Sequence, residues 1–453
     1  MKSLTVFLAA LQSAAAFPAV MESLSKRQSN TCTTSAKCNE QYEVTDADIG
    51  YNPNAPTAAQ IASAGRNHCG NLVPCTLFSA AEQYVSTSGA NAFQSPKSTD
   101  LRGPCPGLNA AANHGYLARN GVQSLAQTIT GLGQAYGMSV DLAGILGAYA
   151  IAFDGDLVSM TWSIGGPQAK LGAIDSGQGI SWSHNKYEGD TSISRCDAYI
   201  NNGDAHSLSP TRFAYAYYEG LEDDRLDMDK FARAFAKNTH RSIGQNPYYF
   251  APLFSTTLVS PAAYNFVIAM MSNHTADQPG GYLNEDMFKT FFAVTGDYPN
   301  YEWHPGQDRI PDNWYRRPSA QPYTATTGVF GDLLSEFAAY PDSFRFGGNT
   351  DGVNTYTGIN IRDFSSGLYN AQNLFEGDNF ACFVYQNIQQ GLPDVLNANP
   401  LVTAAVTLLQ KQFGIAFSAI SCPAISEFNN NNLPPYPGRS YSPNPPSNAP
   451  QNC

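Results

Sequence analysis

The chain is poor in charge. Asp, Glu, Lys and Arg make up only 14% of it, and cations are outnumbered, 25 Lys and Arg against 37 Asp and Glu, for a formal net charge of −12. That shortage of positive charge argues against nucleic acid or an anionic membrane surface as a partner. Past the first residues there is no apolar run of about 20 residues, so no membrane span is expected. No Gly-x-Ser-x-Gly turn occurs, which removes the nucleophile elbow of Ser/His/Asp hydrolases. There is no internal repeat.

What is present suits an exported globular chain. Its 453 residues are 43% hydrophobic, enough for a sizeable core, and 12% aromatic, which suits enclosure of a large apolar cofactor as well as ordinary packing. Lys2, the apolar run Leu4 to Ala16 and the small residues Ala14-Ala15-Ala16 read as a secretory signal, 1–16. Lys26-Arg27 reads as a dibasic processing site closing a pro-segment, 17–27. The expected location is secreted, extracellular. Nine cysteines fit that compartment: Cys32, Cys38, Cys69, Cys75, Cys105, Cys196, Cys382, Cys422 and Cys453. Nine is odd, so one is left over.

The chain is organised around Arg102-Gly103-Pro104-Cys105-Pro106-Gly107-Leu108-Asn109. Pro104 and Pro106 each hold the residue before them in an extended conformation. Pro106 also suits the first position of a helix, where its missing N–H costs nothing. A helix over roughly 107–117 follows, with Cys105 at its N-terminus, where free N–H groups and the dipole stabilise a thiolate. Such a thiolate serves as nucleophile, redox centre or metal ligand. A buried or disulfide-bonded cysteine in a tight turn is the plain alternative.

The full string PCPGLN, then NHGYL, then RNG, over Arg102 to Gly121, closely resembles the proximal-ligand motif of the secreted fungal heme-thiolate peroxidases, the chloroperoxidase and unspecific peroxygenase family. The resemblance implies a mainly α, single heme-binding domain with long loops. It implies Cys105 as the catalytic axial thiolate on the iron of heme b, where a thiolate favours O–O cleavage. Cys382–Cys422 resembles the C-terminal disulfide of the longer peroxygenases. Cys32–Cys38 and Cys69–Cys75 are candidate local pairs, and Cys196–Cys453 then remains; sequence does not fix connectivity.

A second stretch, Ser183 to Ser192, carries Glu188-Gly189-Asp190. Oxygen ligands on a short loop suit a hard cation, although a solvated turn is the default for so common a string. Its position after the Cys motif, followed by Ser194-Arg195-Cys196-Asp197, resembles the family's acidic motif. By that resemblance Glu188, the Gly189 carbonyl and Ser192 bind Mg²⁺ or another divalent cation beside a heme propionate. The central residue is glycine, as in the long peroxygenases, not the histidine of chloroperoxidase. His184 is read as structural.

The distal acid–base group is where the resemblance frays. Peroxide heterolysis needs a group that takes a proton from one oxygen and returns it to the other. The long peroxygenases use a glutamate with an arginine seven residues earlier. Arg212 and Glu219 have that spacing. A linear alignment instead puts Gly244 to Tyr248 on the family's Asn-Pro step and the distal helix at Phe254 to Met271, which contains no Glu, Asp, His or Arg. The linear placement is preferred because it keeps the landmarks in order. Glu219 is then a surface or helix-end carboxylate, and Tyr264 is either a substitute donor or cavity lining.

Elsewhere, helices are expected at 57–65, 77–84, two within 122–151, and at 226–243, 288–292, 330–340, 380–390 and 402–417. Val140, Leu142, Ile145, Leu146 and Tyr149 form an apolar stripe, with Gly137 the break before it. In 226–243, Lys230, Arg233 and Lys237 are placed outside. Asn273-His274-Thr275 is a sequon on an expected exposed loop. The arm 28–94 is expected to be irregular, the peroxidase domain to cover 95–425, and the Asn/Pro-rich tail 426–453 to be disordered.

The expected function is a heme-dependent peroxidase or peroxygenase acting with hydrogen peroxide on a small organic substrate, as a monomer or disulfide-linked dimer. The missing glutamate motivates a heme-thiolate protein with other chemistry as the alternative. A non-catalytic secreted heme-binding protein is the other alternative.

Overall fold

Ser124 and Ser139 start the two helices that underlie the cysteine turn. Ser124 and Gln127 form a reciprocal capping box on α2, Leu125–Tyr136, and the Ser139 hydroxyl caps α3, Val140–Asp154. Between them Gly137, the break that the sequence predicts, sits at φ 69° in the left-handed region. A Cβ there would lie 2.7 Å from the Arg317 side chain, so the turn also needs glycine for space. Leu142, Ile145 and Tyr149 are buried as expected. Val140 is not: as first residue of its helix it points outward and is 63% exposed.

The computed structural model describes residues 44, 48–51, 75–168, 177–222, 224–297, 300–370, 373–395, 407–414, 420, 422–423 and 433–441. The expected signal, pro-segment, helix 57–65 and pairing Cys32–Cys38 lie outside these residues. So do Cys69 and Cys453; Cys75 and Cys196 are both disulfide-bonded. Cys382–Cys422 forms. The helix expected at 77–84 contracts to Ala80–Gln83.

The architecture is mainly α. It comprises α1, Pro106–Asn113, then α2 and α3, α4, Pro210–Gly220, α5, Met228–Gln245, α6, Ser260–Met271, α7, Glu285–Phe292, α8, Gly331–Ala339, and α9, Asn379–Val395. Small antiparallel ladders tie the loops. Val122–Ser124 pairs with Thr161–Ser163, and Phe250–Ala251 pairs with Gly347–Asn349, which pairs in turn with Tyr356–Gly358. The core between the helices is aromatic. Phe213 stacks on Phe288 at 4.7 Å, and Tyr264 meets Phe235 edge-on at 5.2 Å. Each such ring, fully buried, contributes roughly 1.5–3 kcal/mol.

Four places run differently from expectation. Leu253–Val259 is a π-helix turn that feeds α6. Together Leu253–Met271 is long and apolar enough to cross a membrane by length and composition, yet it is mostly buried in this protein, as a core helix is. α5 is not a surface helix: Lys237 is buried as well as Phe231 and Phe235. Part of the tail expected to be disordered is packed. Tyr436 is buried against Phe250, and Asn185 Nδ2 donates to the Gly438 carbonyl at 2.7 Å. The sequon residue Asn273 is also buried, its Oδ1 accepting the Tyr315 N–H, rather than free on an exposed loop.

Candidate active site

The cysteine turn is fixed by its own asparagines. Asn109 Nδ2 donates to the Gly103 carbonyl (2.9 Å) and its Oδ1 accepts the Gly103 N–H (3.1 Å), closing the turn across the two prolines. Asn113 Oδ1 accepts from Arg102, and its Nδ2 donates to the carbonyls of Gly306 and Asp308. Arg195 Nη2 donates to the Pro104 carbonyl at 2.9 Å, tying the acidic stretch to the residue before Cys105. α1 then begins at Pro106, with Cys105 as its extended N-cap.

Cys105 is a free cysteine, partly buried. The N–H groups of Gly107 and Leu108 point at its sulfur, as the helix-start reading requires. They do not win alone. Burial pushes the thiol up to about 11, and the nearby carboxylates of Glu188 and Asp308 push the same way. A positively charged partner at the sulfur would reverse that balance, because coordination deprotonates a thiol. A free thiol with N–H groups aimed at it, packed against the hydrophobic core, fits an iron-centred apolar cofactor such as heme.

Glu188 lies close enough to Cys105 and to Arg195 to feel the charge of each. Burial pushes its carboxyl up to about 8, while Arg195 pulls it down. The loop that carries it is held under strain. Thr191, a β-branched residue, stands at φ 70°, which costs about 1–3 kcal/mol. Its N–H donates to Asp197 Oδ1 and its carbonyl accepts the Tyr264 hydroxyl, both at 3.1 Å. Asn238 Nδ2 donates to the Ser192 carbonyl. Gly189 has no room for a side chain, since a Cβ would lie 2.2 Å from Thr256 Oγ1. That contact explains physically why the central residue is glycine. Ser255 Oγ and Thr256 Oγ1, both beside this glycine, are buried without hydrogen-bond partners. Among the described residues no three His, Cys, Asp or Glu side chains group as metal ligands. A cation here would therefore rest on Glu188 plus carbonyl and hydroxyl oxygens.

Beyond Tyr187 lies an apolar pocket. The Tyr187 hydroxyl donates to the Leu146 carbonyl, and its ring meets Phe254 edge-on at 6.0 Å. Leu146 and Phe254 line the pocket with Leu142 and Ile145 from α3, Leu258, Val259, Ala262 and Phe266 from the distal segment, Ala325, Val329 and Phe330 before α8, and Phe413. No lining residue titrates. The helix of the linear placement thus lies along an apolar pocket whose lining brings no acid.

The local alternative fails on geometry. Arg212 donates to Asn238 and Gln245. Glu219 pairs with Lys237 (3.1 Å) and Arg233 (3.4 Å), so it is a buried strut between α4 and α5. Glu219→Gln is expected to cost about 3 kcal/mol in denaturant unfolding, by stranding Lys237. It should leave peroxide turnover per folded molecule within about twofold. Tyr264 is not a pocket donor either, because its hydroxyl holds the strained Thr191 carbonyl and accepts from Asn238 Nδ2 at 3.0 Å. His184 is buried and T-stacked on Tyr441, and burial lowers it to about 4, in keeping with a structural role.

Two contributors take their roles from the folded structure. Asp308 comes from a loop distant in sequence and is buried near Arg195, its carboxyl pushed up to about 7 by burial. Asn246 Nδ2 bridges Asp190 and Asp197, 3.1 Å from each, and so joins the Asn-Pro step to the acidic loop. The order of landmarks points to Asn246; nothing in the sequence points to Asp308.

Residues 91–319 match the family described as "Peroxidase, family 2". The chain is 34% identical over 369 residues to the dothistromin biosynthesis peroxidase dotB of Dothistroma septosporum, covering 80% of this chain and 87% of that protein. It is 35% identical over 368 residues to the aromatic peroxidase fscJ of Fusarium equiseti, covering 78% and 82%. It is 32% identical over 214 residues to an aromatic peroxygenase of Coprinellus radians, covering 45% and 78%.

Proposed function

The chain belongs to peroxidase family 2, the fungal heme-thiolate peroxidases, and from that membership we propose that Cys105 is the axial thiolate of its heme. The enzyme is an oxidoreductase of the peroxidase and peroxygenase type. The observation that carries the assignment is the free Cys105 at a helix start, with two N–H groups directed at its sulfur. Bound heme supplies the oxidising chemistry with peroxide. The chain's own residues hold the sulfur in place through Asn109 and Arg195, and the pocket beyond Tyr187 excludes water from an aromatic substrate.

Glu188, the Gly189 carbonyl and Ser192 are the proposed seat of a divalent cation, Mg²⁺ by preference for oxygen donors. A cation there stabilises a buried carboxylate that burial otherwise neutralises. Export of the protein follows from its signal-like start and its cysteine content.

The test is the optical spectrum of the purified protein, ferric and then reduced under carbon monoxide, beside Cys105→Ala. The expected result is a reduced-CO Soret band shifted far to the red in the parent and absent from the variant. A folded protein with no heme band, or a red-shifted band that survives in the variant, overturns the assignment. A second reading, heme-thiolate chemistry without peroxide, is favoured by one observation, the acid-free pocket. A normal reduced-CO band with no turnover of peroxide would select it.

A further inference from the structure

A line of aromatic rings leads from the cysteine turn to solvent. Tyr136, the last residue of α2, lies against that turn. Its hydroxyl donates to the Gly107 carbonyl at 2.6 Å, and its ring carbons are 3.9 Å from where a Cβ on Gly107 would stand. Gly107 is one of the two residues whose N–H groups point at the Cys105 sulfur. The Tyr136 ring meets Trp314 edge-on, with centroids 6.0 Å apart. Trp314 is wholly buried, and its Nε1–H donates to the Met271 carbonyl at 3.1 Å. The next residue, Tyr315, is half-buried and packs on Tyr84, with centroids 5.5 Å apart. Tyr84 is 45% exposed.

Main-chain bonds hold this order. Tyr84 and Tyr315 form an antiparallel bridge, and the Val85 N–H donates to the Trp314 carbonyl at 3.1 Å. At the outer end Phe78 meets Tyr315 edge-on at 5.3 Å, and Leu77 next to it is 92% exposed. Core packing accounts for the buried rings. It does not account for a line that ends on an exposed tyrosine among exposed apolar side chains, a grouping that marks a binding surface.

Indole and phenol are among the side chains that give up a single electron most readily. A phenol sheds its proton as it does so. Tyr136 has only a carbonyl at its hydroxyl, so it keeps its proton and its ring serves as a bridge. Trp314 needs no proton acceptor, because an indole that has lost an electron retains its N–H, here bonded to Met271. Tyr84 can release its proton to water.

We propose that Trp314, Tyr315 and Tyr84 form an electron relay that oxidises polymeric phenols at the protein surface, without their entering the apolar pocket. The inference deepens the heme-thiolate reading by naming a further substrate class, and it rests on that reading for the oxidising equivalent, which the cofactor supplies. Trp314 gives one electron inward, past Tyr136, and regains it from Tyr84 through Tyr315. Tyr84, having lost an electron and its proton, takes one of each from a phenol docked beside it, and the phenol leaves as a phenoxyl radical. Two phenols oxidised in this way supply the two electrons and two protons that reduce one hydrogen peroxide to two waters.

The first arm of the test needs neither heme nor turnover. An ultraviolet flash ionises the indoles of the full-length protein, and transient absorption follows the radicals. The expected result is a tyrosyl signal that grows in as the indole radical decays. That growth should be lost in Trp314→Phe and in the double variant Tyr84→Phe with Tyr315→Phe. The second arm supplies peroxide to the heme-loaded protein with lignosulfonate or with naphthalene. The double variant should oxidise lignosulfonate at least ~10-fold more slowly than the parent and naphthalene within about twofold of it. Tyrosyl growth that survives in both variants overturns the relay, and so does lignosulfonate oxidation that is absent from the parent or equal in the double variant. Tyrosyl growth that depends on these residues, in a protein with no reduced-CO band, defeats the heme reading alone.

Discussion

Gly103→Ala is expected to unseat the cysteine turn while leaving every titrating group in place. A Cβ at this position would lie 2.2 Å from the Ile164 carbonyl, 2.8 Å from Ser181 Oγ and 3.0 Å from the Gly165 Cα. Two of those three are backbone, and they cannot rotate away. The facing Gly165 is as tight, with its own Cβ direction 2.6 Å from the Arg102 backbone nitrogen and oxygen. Here two stretches of main chain lie flat on each other, and one methyl group forces them apart. Overpacking of this kind costs about 1–3 kcal/mol. The larger effect is on the site, because Gly103 is the residue to which Asn109 bonds on both sides. We expect heme retention, read as the red-shifted reduced-CO band per folded protein, to fall at least ~10-fold, as a loss of about 1.4 kcal/mol at the site would give. Gly414→Ala serves as control, since a Cβ there meets nothing within 4 Å. Equal heme retention in both variants would show that the turn tolerates displacement.

The second large effect is an inverted dependence of stability on pH. Most proteins lose stability on the acid side because paired carboxylates must be protonated. Here several carboxyls are buried with raised values: Asp332 to about 6, and Asp154 and Glu336 well above the usual range. A raised carboxyl binds its proton more tightly in the folded state than in the unfolded chain. The folded state then holds more protons, and stability falls as pH rises through the interval between the two values. For Asp332 the interval runs from its ordinary 3.8 to about 6, worth about 3 kcal/mol. Asp154 and Glu336 extend the fall to higher pH. Glu82 and Glu285 have lowered values and act oppositely, below the ordinary carboxylate range. Unfolding free energies from urea denaturation should therefore peak near pH ~4 and decline by several kcal/mol toward neutrality. Asp332→Asn should flatten the lower part of that decline. A midpoint that rises from pH 4 to 7 would mean that these carboxyls are paired rather than protonated.

Local chemistry decides what was readable in the chain. The two prolines around Cys105, the serine caps of α2 and α3 and the left-handed Gly137 each act over a few residues, and each stands where local rules put it. The helical run ending at Met271 was readable too, including its want of an acid, because an apolar run needs no partner to be recognised. What stayed hidden depends on distant partners. Lys237 looks like a solvent-facing charge until Glu219 is brought beside it. Tyr264 looks like a donor until Thr191 claims its hydroxyl. Glu336 is one carboxylate in a short helix, and its burial beside Asn265 depends on a partner 71 residues away. Asp308 is one acid in a long loop, made significant by Arg195.

The packed segment around Tyr436 sets an order of assembly. It bonds to Asn185 through Gly438, and its Tyr441 ring meets His184 and Tyr248, so it closes over the stretch leading into Glu188. During synthesis the cysteine turn emerges roughly 300 residues before this cover, about 15–60 s earlier at ~5–20 residues per second. For that interval the acidic loop stands uncovered while the proximal turn can already form. The segment that closes over this stretch is thus made after both the turn and the loop that it covers.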